Sequence, residues 1–349
     1  MKQQYLVTDA IGQLGNAITR LLLDHGHAVR VLVHPDSDIT PLKGLPVDII
    51  FGDVLVKDSM KQFFEVDNIR ESIVIHTAEK RSVTELRDPL IHRVNVQGTM
   101  NIADICVKKR VARLVYIGSA HAIPEKGNGE EIAEIEHFNR DLVEGDYAKS
   151  KAEATQYILN KVTLNGLNAV IVHPSGIIGP FEYGESEIVQ LIREYLSGEL
   201  TTVVNGGYDF ADVRDVAQGV LSAAERGNSG SCYILSNQYV SAKDFLEGLQ
   251  GITGYPPVKK IVPLWVAQRT AKINRFWCRI TKRRAPIDSY AVFTVYPNAK
   301  YSHSRADNDL AYKTRDINKS LADTLAWLKR QDKMREHELE VQNIQPNQS

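Results

Sequence analysis

A tyrosine and a lysine four residues apart on a helix lie on one face, a single turn from each other. The ammonium favours tyrosinate and lowers the phenol's pKa from about 10, so the phenol becomes a proton donor or acceptor near neutral pH. Tyr-x-x-x-Lys occurs five times in the 349 residues, as Tyr147/Lys151, Tyr157/Lys161, Tyr239/Lys243, Tyr255/Lys259 and Tyr296/Lys300. The pattern alone therefore selects nothing. Tyr255 precedes Pro256 and Pro257, which forbid a helix. Tyr157 sits nearly three turns beyond Tyr147 and faces about 80° away from it. Tyr147 opens a helix in the crossover that leaves a strand ending at Ile117, and Ser119 stands at that strand's carboxyl end. Ligands of open α/β sheets bind at such ends. Ser119, Tyr147 and Lys151 are the candidate catalytic residues; the plainer role for Ser119 is a strand-end cap.

A second constellation is Thr8-Asp9-Ala10-Ile11-Gly12-Gln13-Leu14-Gly15. It joins a strand, Tyr5 to Thr8, to a helix whose apolar face is Leu14, Ala17, Ile18, Leu21 and Leu22. Free backbone N–H groups at such a helix start suit a pyrophosphate, and glycine lets the phosphate approach the main chain. The alternative is a tight turn without a ligand. His76, which ends another apolar run, reads as a core histidine bonded to its neighbours.

The elements that must hold these residues alternate. Strands are expected at 5–8, 29–33, 47–51, 73–76, 114–117 and 169–172, and helices at about 58–65, 89–109 and 145–164. Short β-branched strands between helices imply right-handed crossovers and a parallel sheet covered on both faces. The expected fold is α/β, a doubly wound parallel Rossmann-type sheet with a smaller C-terminal substrate lobe. Residues 1–174, with about 205–235, form the dinucleotide-binding core; 175–204 and 236–330 form the lobe. Asp212 to Ala217 starts a helix that returns to the core. Leu321, Leu325, Trp327 and Leu328 mark a last amphipathic helix, and the polar tail 331–349 is expected to fray.

These motifs together resemble the extended short-chain dehydrogenases/reductases, the NAD-dependent epimerase/dehydratase family, from about residue 4 to 330. The similarity is greatest to the dihydroflavonol-reductase-like and hydroxysteroid-dehydrogenase-like branch. Gly12 and Gly15 match the second and third glycines of T-G-x-x-G-x-x-G, whereas Asp9 replaces the first. Asp tolerates left-handed backbone, but its carboxylate would repel a pyrophosphate. Tyr147-Ala148-Lys149-Ser150-Lys151-Ala152-Glu153 matches Y-A-x-S-K-x-E. Asn95-Val96-Gln97-Gly98-Thr99 matches N-V-x-G-T, with Asn95 a structural anchor. His173-Pro174-Ser175-Gly176-Ile177-Ile178-Gly179-Pro180 resembles R-P-x-x-x-x-G-P, with His173 in place of Arg. Gly118 replaces the usual Ser or Thr before Ser119.

The resemblance implies hydride transfer between a nicotinamide cofactor and a carbonyl or alcohol on a small to medium, lipophilic substrate. Tyr147 exchanges the proton, Ser119 polarises the oxygen, and Lys151 holds the ribose. Implied cofactor-binding residues are Thr8, Gly12, Gln13, Leu14, Gly15, His34, Asp53, Val54, Thr77, Ala78, Tyr147, Lys151, Pro174 and Ile177. Asp53, in Gly52-Asp53-Val54, can accept from the adenine amino group. No acid ends the second strand, where Val33 stands, and His34 follows; NADP is slightly favoured over NAD, although Asp36 and Asp38 oppose a second phosphate. Rival readings are a nucleotide-sugar epimerase or dehydratase, and a non-catalytic nucleotide sensor.

A net charge of −1 gives no general attraction for nucleic acid or acidic lipid. No apolar run reaches the roughly 20 residues of a membrane helix, and the first residues lack a signal-peptide pattern. Cys106, Cys232 and Cys278 share no metal-ligand spacing and suit a reducing compartment, so cytoplasm is expected. Arg269, Lys272, Arg275, Arg279, Lys282 and Arg283 line one face of an expected helix near 264–284, a solvated face or a peripheral membrane contact. A homodimer through two helices is compatible with the resemblance.

Overall fold

The computed structural model describes residues 3–81, 88–127, 129–184, 186–258, 260–263 and 299–344. The expected strands form as β1 (Gln4–Thr8), β2 (Ala28–Val33), β3 (Asp48–Phe51), β4 (Ile73–His76), β5 (Arg113–Ile117) and β6 (Ala169–Pro174). Helix α1 (Gln13–Asp24) links the first two strands. Between β4 and β5 run α2 (Pro89–His92), a π-helical turn (Arg93–Gly98) and α3 (Thr99–Lys109). Helix α4 (Asp146–Asn165) connects β5 to β6.

Beyond β6 come β7 (Gly176–Ile178), α5 (Glu187–Ser197), β8 (Thr202–Asn205), β9 (Gly207–Asp212) and α6 (Val213–Arg226). They are followed by β10 (Cys232–Leu235), β11 (Gln238–Ser241), α7 (Ala242–Thr253), β12 (Lys260–Pro263), α8 (Ser304–Leu310) and α9 (Ile317–Ile344).

The main sheet has the order β3-β2-β1-β4-β5-β6-β10, every pair parallel. Chain order reverses between β1 and β4, the crevice where such sheets hold ligands. Register sets Thr8 opposite His76, His76 opposite Tyr116, and Ile117 opposite Val172, so the carboxyl ends lie level. Alternate residues fill two cores. Leu6, Val74, Leu114 and Ile171 face the α3–α4 side, while Val7, Ile75, Val115 and Val170 face the α1–α6 side. Each such side chain contributes about 1.5–3 kcal/mol of burial. Helix α4 starts with Asp146 in its first turn, favourable to the helix dipole, and stops at Gly166 in left-handed backbone (φ 66).

Three expectations change. Residues 58–65 form two 3-10 turns, Lys57–Met60 and Gln62–Phe64, because the Ser59 hydroxyl competes for backbone by donating to Val56 O and accepting from Asp53 N. The helix expected over 89–109 carries a π turn around Asn95. The tail stays helical through Ile344, because Gln331 to Ile344 is rich in Glu, Gln, Lys and Arg and meets no breaker before Pro346. The basic helix expected near 264–284 lies outside the described residues. Among the described residues, no helix is long and apolar enough to cross a membrane.

Candidate active site

A cleft of about 320 Å³ opens over the carboxyl ends of β1, β4, β5 and β6. Gly12, Gln13, Leu14, Gly15 and Thr77 line one part; Ser119, Tyr147, Pro174 and Ile177 line another. The structure thus brings most of the sequence-predicted residues together. Thr8 and Ala78 stand just behind: the buried Thr8 hydroxyl accepts from Thr77 N (3.1 Å) and Ala78 N (3.0 Å), fixing the loop after β4. His34, Asp53 and Val54 lie beyond the residues that line the cleft, following β2 and β3. His34 is exposed, 3.8 Å from the Asp36 carboxylate, and the Asp53 carboxylate accepts from Leu55 N at 2.8 Å.

The glycine loop fits a dinucleotide. Helix α1 begins after Gly12 with no side chain capping its first turn, so backbone donors there are available to an anion. A Cβ on Gly15 would lie 2.2 Å from Asp9 O, so only glycine lets the helix close on β1. Asp9 adopts the left-handed conformation (φ 53) that the missing glycine would have taken. Burial, reinforced by the Glu79 charge, pushes its carboxyl up to about 7, against Arg81 and the Gly12 N–H.

At the other end, α4 presents Tyr147 and Lys151. Lys151 is 1% exposed and donates to Ile117 O at 2.9 Å, pinning the helix to the end of β5. Glu79, a residue that sequence reasoning missed, carries the rest. Its Oε2 accepts from the Tyr147 hydroxyl at 2.8 Å and from Lys151 Nζ at 2.7 Å, while Arg81 Nε meets the other oxygen. Burial works to raise the Glu79 pKa, but Arg81 and Lys151 overcome it and hold the carboxyl at about 2. The expected lowering of the phenol's pKa is overturned. Burial and the Glu79 charge outweigh Lys151, and Tyr147 rises to about 12. The available signal for Glu79 was an acid three residues beyond His76, at the level where the sheet ends.

Asn95 supports this arrangement from the π turn. Its amide donates to Lys80 O (3.0 Å) and to Ser150 Oγ on α4 (2.9 Å) and accepts from Lys80 N (2.7 Å). It therefore ties the segment bearing Glu79 to the helix bearing Tyr147. His76 is fully buried between Thr8 Oγ1 (2.9 Å) and Thr99 Oγ1 (3.1 Å), and burial lowers its pKa to about 3.

Two departures noted separately in the sequence prove to be one feature. His173 Nδ1 lies 3.1 Å from Ser119 N and 3.0 Å from Ser119 O. A Cβ on Gly118 would fall 2.5 Å from that same nitrogen. The imidazole thus occupies the space that a larger residue 118 would need, and it holds the backbone of Ser119. The Ser119 hydroxyl accepts from His121 N at 3.2 Å, and the His121 ring meets Tyr147 edge-on at 6.0 Å.

The segment after β7 borders the cleft through Glu182, Gly184 and Ser186. Phe181 there has φ 69, strained for a residue other than glycine. Gln13 donates to Gly179 O at 3.1 Å, and Arg20 stacks over Phe181 at 5.1 Å. Trp327 of α9 donates its indole N–H to Glu182 O at 3.0 Å and packs edge-on against Phe181 and Tyr183.

Comparison with known proteins bears on family and fold. The family model described as NAD dependent epimerase/dehydratase family matches residues 5–236. A Synechocystis protein whose name places it with the dihydroflavonol 4-reductases is 31% identical over 331 residues, covering 94% of this chain and 95% of its own length. Sterol demethylase protein B of Methylococcus capsulatus is 28% identical over 329 residues, covering 93% and 98%. The crystal structure of gox2253 superposes with a TM-score of 0.82 at 26% identity, covering 94% of this chain and 98% of that one.

Proposed function

The chain belongs to the NAD-dependent epimerase/dehydratase family of oxidoreductases, and from that premise we propose that it reduces a carbonyl to an alcohol, and reverses that reaction, on a lipophilic small molecule. The carrying observation is that Tyr147 and Ser119 share one cleft with the uncapped start of α1, with Lys151 buried behind the phenol. Bound reduced nicotinamide supplies the hydride. The Gly12–Gly15 loop binds the pyrophosphate, and Pro174 and Ile177 border the reacting ring. Ser119 donates to the substrate oxygen, and Tyr147 gives it a proton. A phenol held at about 12 is protonated throughout the physiological range, which suits donation to an oxygen becoming an alkoxide.

Lipophilic substrates are supported by relatives named for sterols and dihydroflavonols. The segments 175–204 and 236–330 form the substrate lobe of this proposal. NADP is favoured over NAD because Val33, not an acid, ends β2 and the exposed His34 follows. Buried free thiols at Cys106 and Cys232 fit a cytoplasmic setting. A homodimer through two helices is compatible with this reading.

The test titrates NADPH and NADH, then assays the wild type and Tyr147→Phe on ketones, aldehydes, steroids and sugar nucleotides. Turnover of a ketone or steroid that disappears in Tyr147→Phe is the expected result. Nucleotide binding with no Tyr147-dependent turnover would point to a sensor, and sugar-nucleotide turnover alone to an epimerase.

A further inference from the structure

We infer that Glu79 is the counter-ion of the oxidised nicotinamide and sets which redox form of the cofactor the protein prefers. The inference rests on the proposed reductase function and adds a residue to it. One carboxylate oxygen of Glu79 sits 2.8 Å from the Tyr147 hydroxyl and 2.7 Å from Lys151 Nζ, and Glu79 lines the cleft. Any ring that exchanges hydride with a carbon whose oxygen touches Tyr147 must lie within a few ångströms of that phenol. Glu79 is therefore a fixed negative charge beside the reacting ring.

The charge balance gives it a role. In reduction the carbonyl carbon gains a hydride with its electron pair, and the oxygen gains the proton of Tyr147, which solvent later restores. The ring that gave the hydride is left one positive charge richer. A preorganised carboxylate stabilises that charge as it develops and costs no reorganisation at the moment of transfer. Glu79 is preorganised by its surroundings: Asn95 fastens Lys80 next to it, and Lys151 and Arg81 hold its two oxygens. Lys151 and Arg81 lie against the carboxylate and oppose its field at the ring, so the comparison that isolates Glu79 removes its charge with both cations left in place. Removing the Glu79 charge changes the potential at the ring by the field of one full charge. At an effective dielectric constant of about 20 and a separation on the order of 10 Å, that corresponds to roughly tenfold in relative affinity.

Asp9 and Glu182 also line the cleft and Arg81 borders it. Asp9 belongs to the glycine loop, where the two redox forms carry the same phosphates, so its charge acts on both nearly alike. Glu79 differs in standing beside Tyr147.

The experiment measures dissociation constants of NADP+ and NADPH for wild type, Glu79→Gln, Glu79→Asp and Arg81→Gln, by calorimetry and nucleotide fluorescence at fixed pH and salt. The expected result is that Glu79→Gln weakens NADP+ relative to NADPH by about tenfold, while Glu79→Asp restores much of the ratio. Arg81→Gln, at an exposed cation, should move the ratio the other way and decides the matter should Glu79→Gln not fold. Equal changes for both forms, or an unmoved ratio, overturn the inference and leave the reductase reading intact. Failure of the wild type to bind any nicotinamide nucleotide overturns both.

Discussion

Helix α4 carries the same four-residue pattern twice, with different results. Tyr147 and Lys151 share Glu79; nearly three turns on, Tyr157 and Lys161 share Asp104. The short contacts are nearly the same. Tyr157 donates to Asp104 at 2.8 Å, and Lys161 Nζ lies 2.9 Å from the same oxygen. Both acids are held at about 2 against burial, Glu79 by Arg81 and Lys151, and Asp104 by hydrogen bonds from Lys161, Lys57 and Tyr157. The surroundings differ. Lys151 is 1% exposed and stands behind a cleft, whereas Lys161 is 22% exposed; each acid also meets a second, more exposed cation, Arg81 on Glu79 and Lys57 on Asp104. A phenol, an ammonium and a carboxylate in contact are common surface furniture. A concave, desolvated position at the open end of the sheet is what makes one such set available for chemistry.

The sharpest break in the comparison is turnover. Tyr147→Phe should lower it on the order of 10²- to 10⁴-fold, and Tyr157→Phe should leave it within experimental error in the same assay. Stability should follow the same division. Lys151→Met leaves the Glu79 carboxylate with Arg81 alone and is expected to cost about 1.5–3 kcal/mol in urea unfolding. Lys161→Met removes a solvated partner and should cost less than about 1 kcal/mol. Equal losses at the two lysines would erase the distinction drawn here.

Smaller effects sharpen what is special about the first site. Gly118→Ala drives a methyl into His173 and should destabilise by about 1–3 kcal/mol; pairing it with His173→Ala should recover part of that loss in thermal unfolding. The smallest effect concerns pH. The Asp9 carboxyl, raised to about 7 by burial and then by Glu79, is neutral below that value and charged above it. Nucleotide affinity should therefore fall as pH rises through about 7, and Asp9→Asn should flatten the profile in equilibrium titrations. The stability contribution has the same sign: it is greatest below about 4 and is lost as pH climbs toward 7.

Much of the sheet was legible because its central strands are buried on both faces and so read as nearly uninterrupted apolar runs. Strand β10 escaped notice because Cys232–Leu235 carries a single β-branched residue, Ile234, although it follows helix α6 closely. The Tyr147, Lys151 and Ser119 set was proposed from local spacing and sequence context; Ser119 and Tyr147 line one cleft, and Lys151 is buried beside it. Glu79 was not, since a lone acid after a strand looks like any loop acid until Asn95, reaching across from a π turn, fixes where it sits. The Gly118–His173 fit depends on neighbouring strands β5 and β6, which no local reading of either residue reveals. Tyr147's raised pKa was misjudged for the same reason: its strongest neighbour is distant in the chain.

The Trp327 contact has a consequence for synthesis. Residues of the parallel sheet leave the ribosome first, yet one wall of their cleft, Phe181 to Tyr183, is braced by an indole near the chain's carboxyl end. A nascent chain halted before α9 would hold a finished sheet with an unbraced mouth. Bracing of that wall of the cleft is thus completed late, when α9 docks, and not when the glycine loop itself emerges.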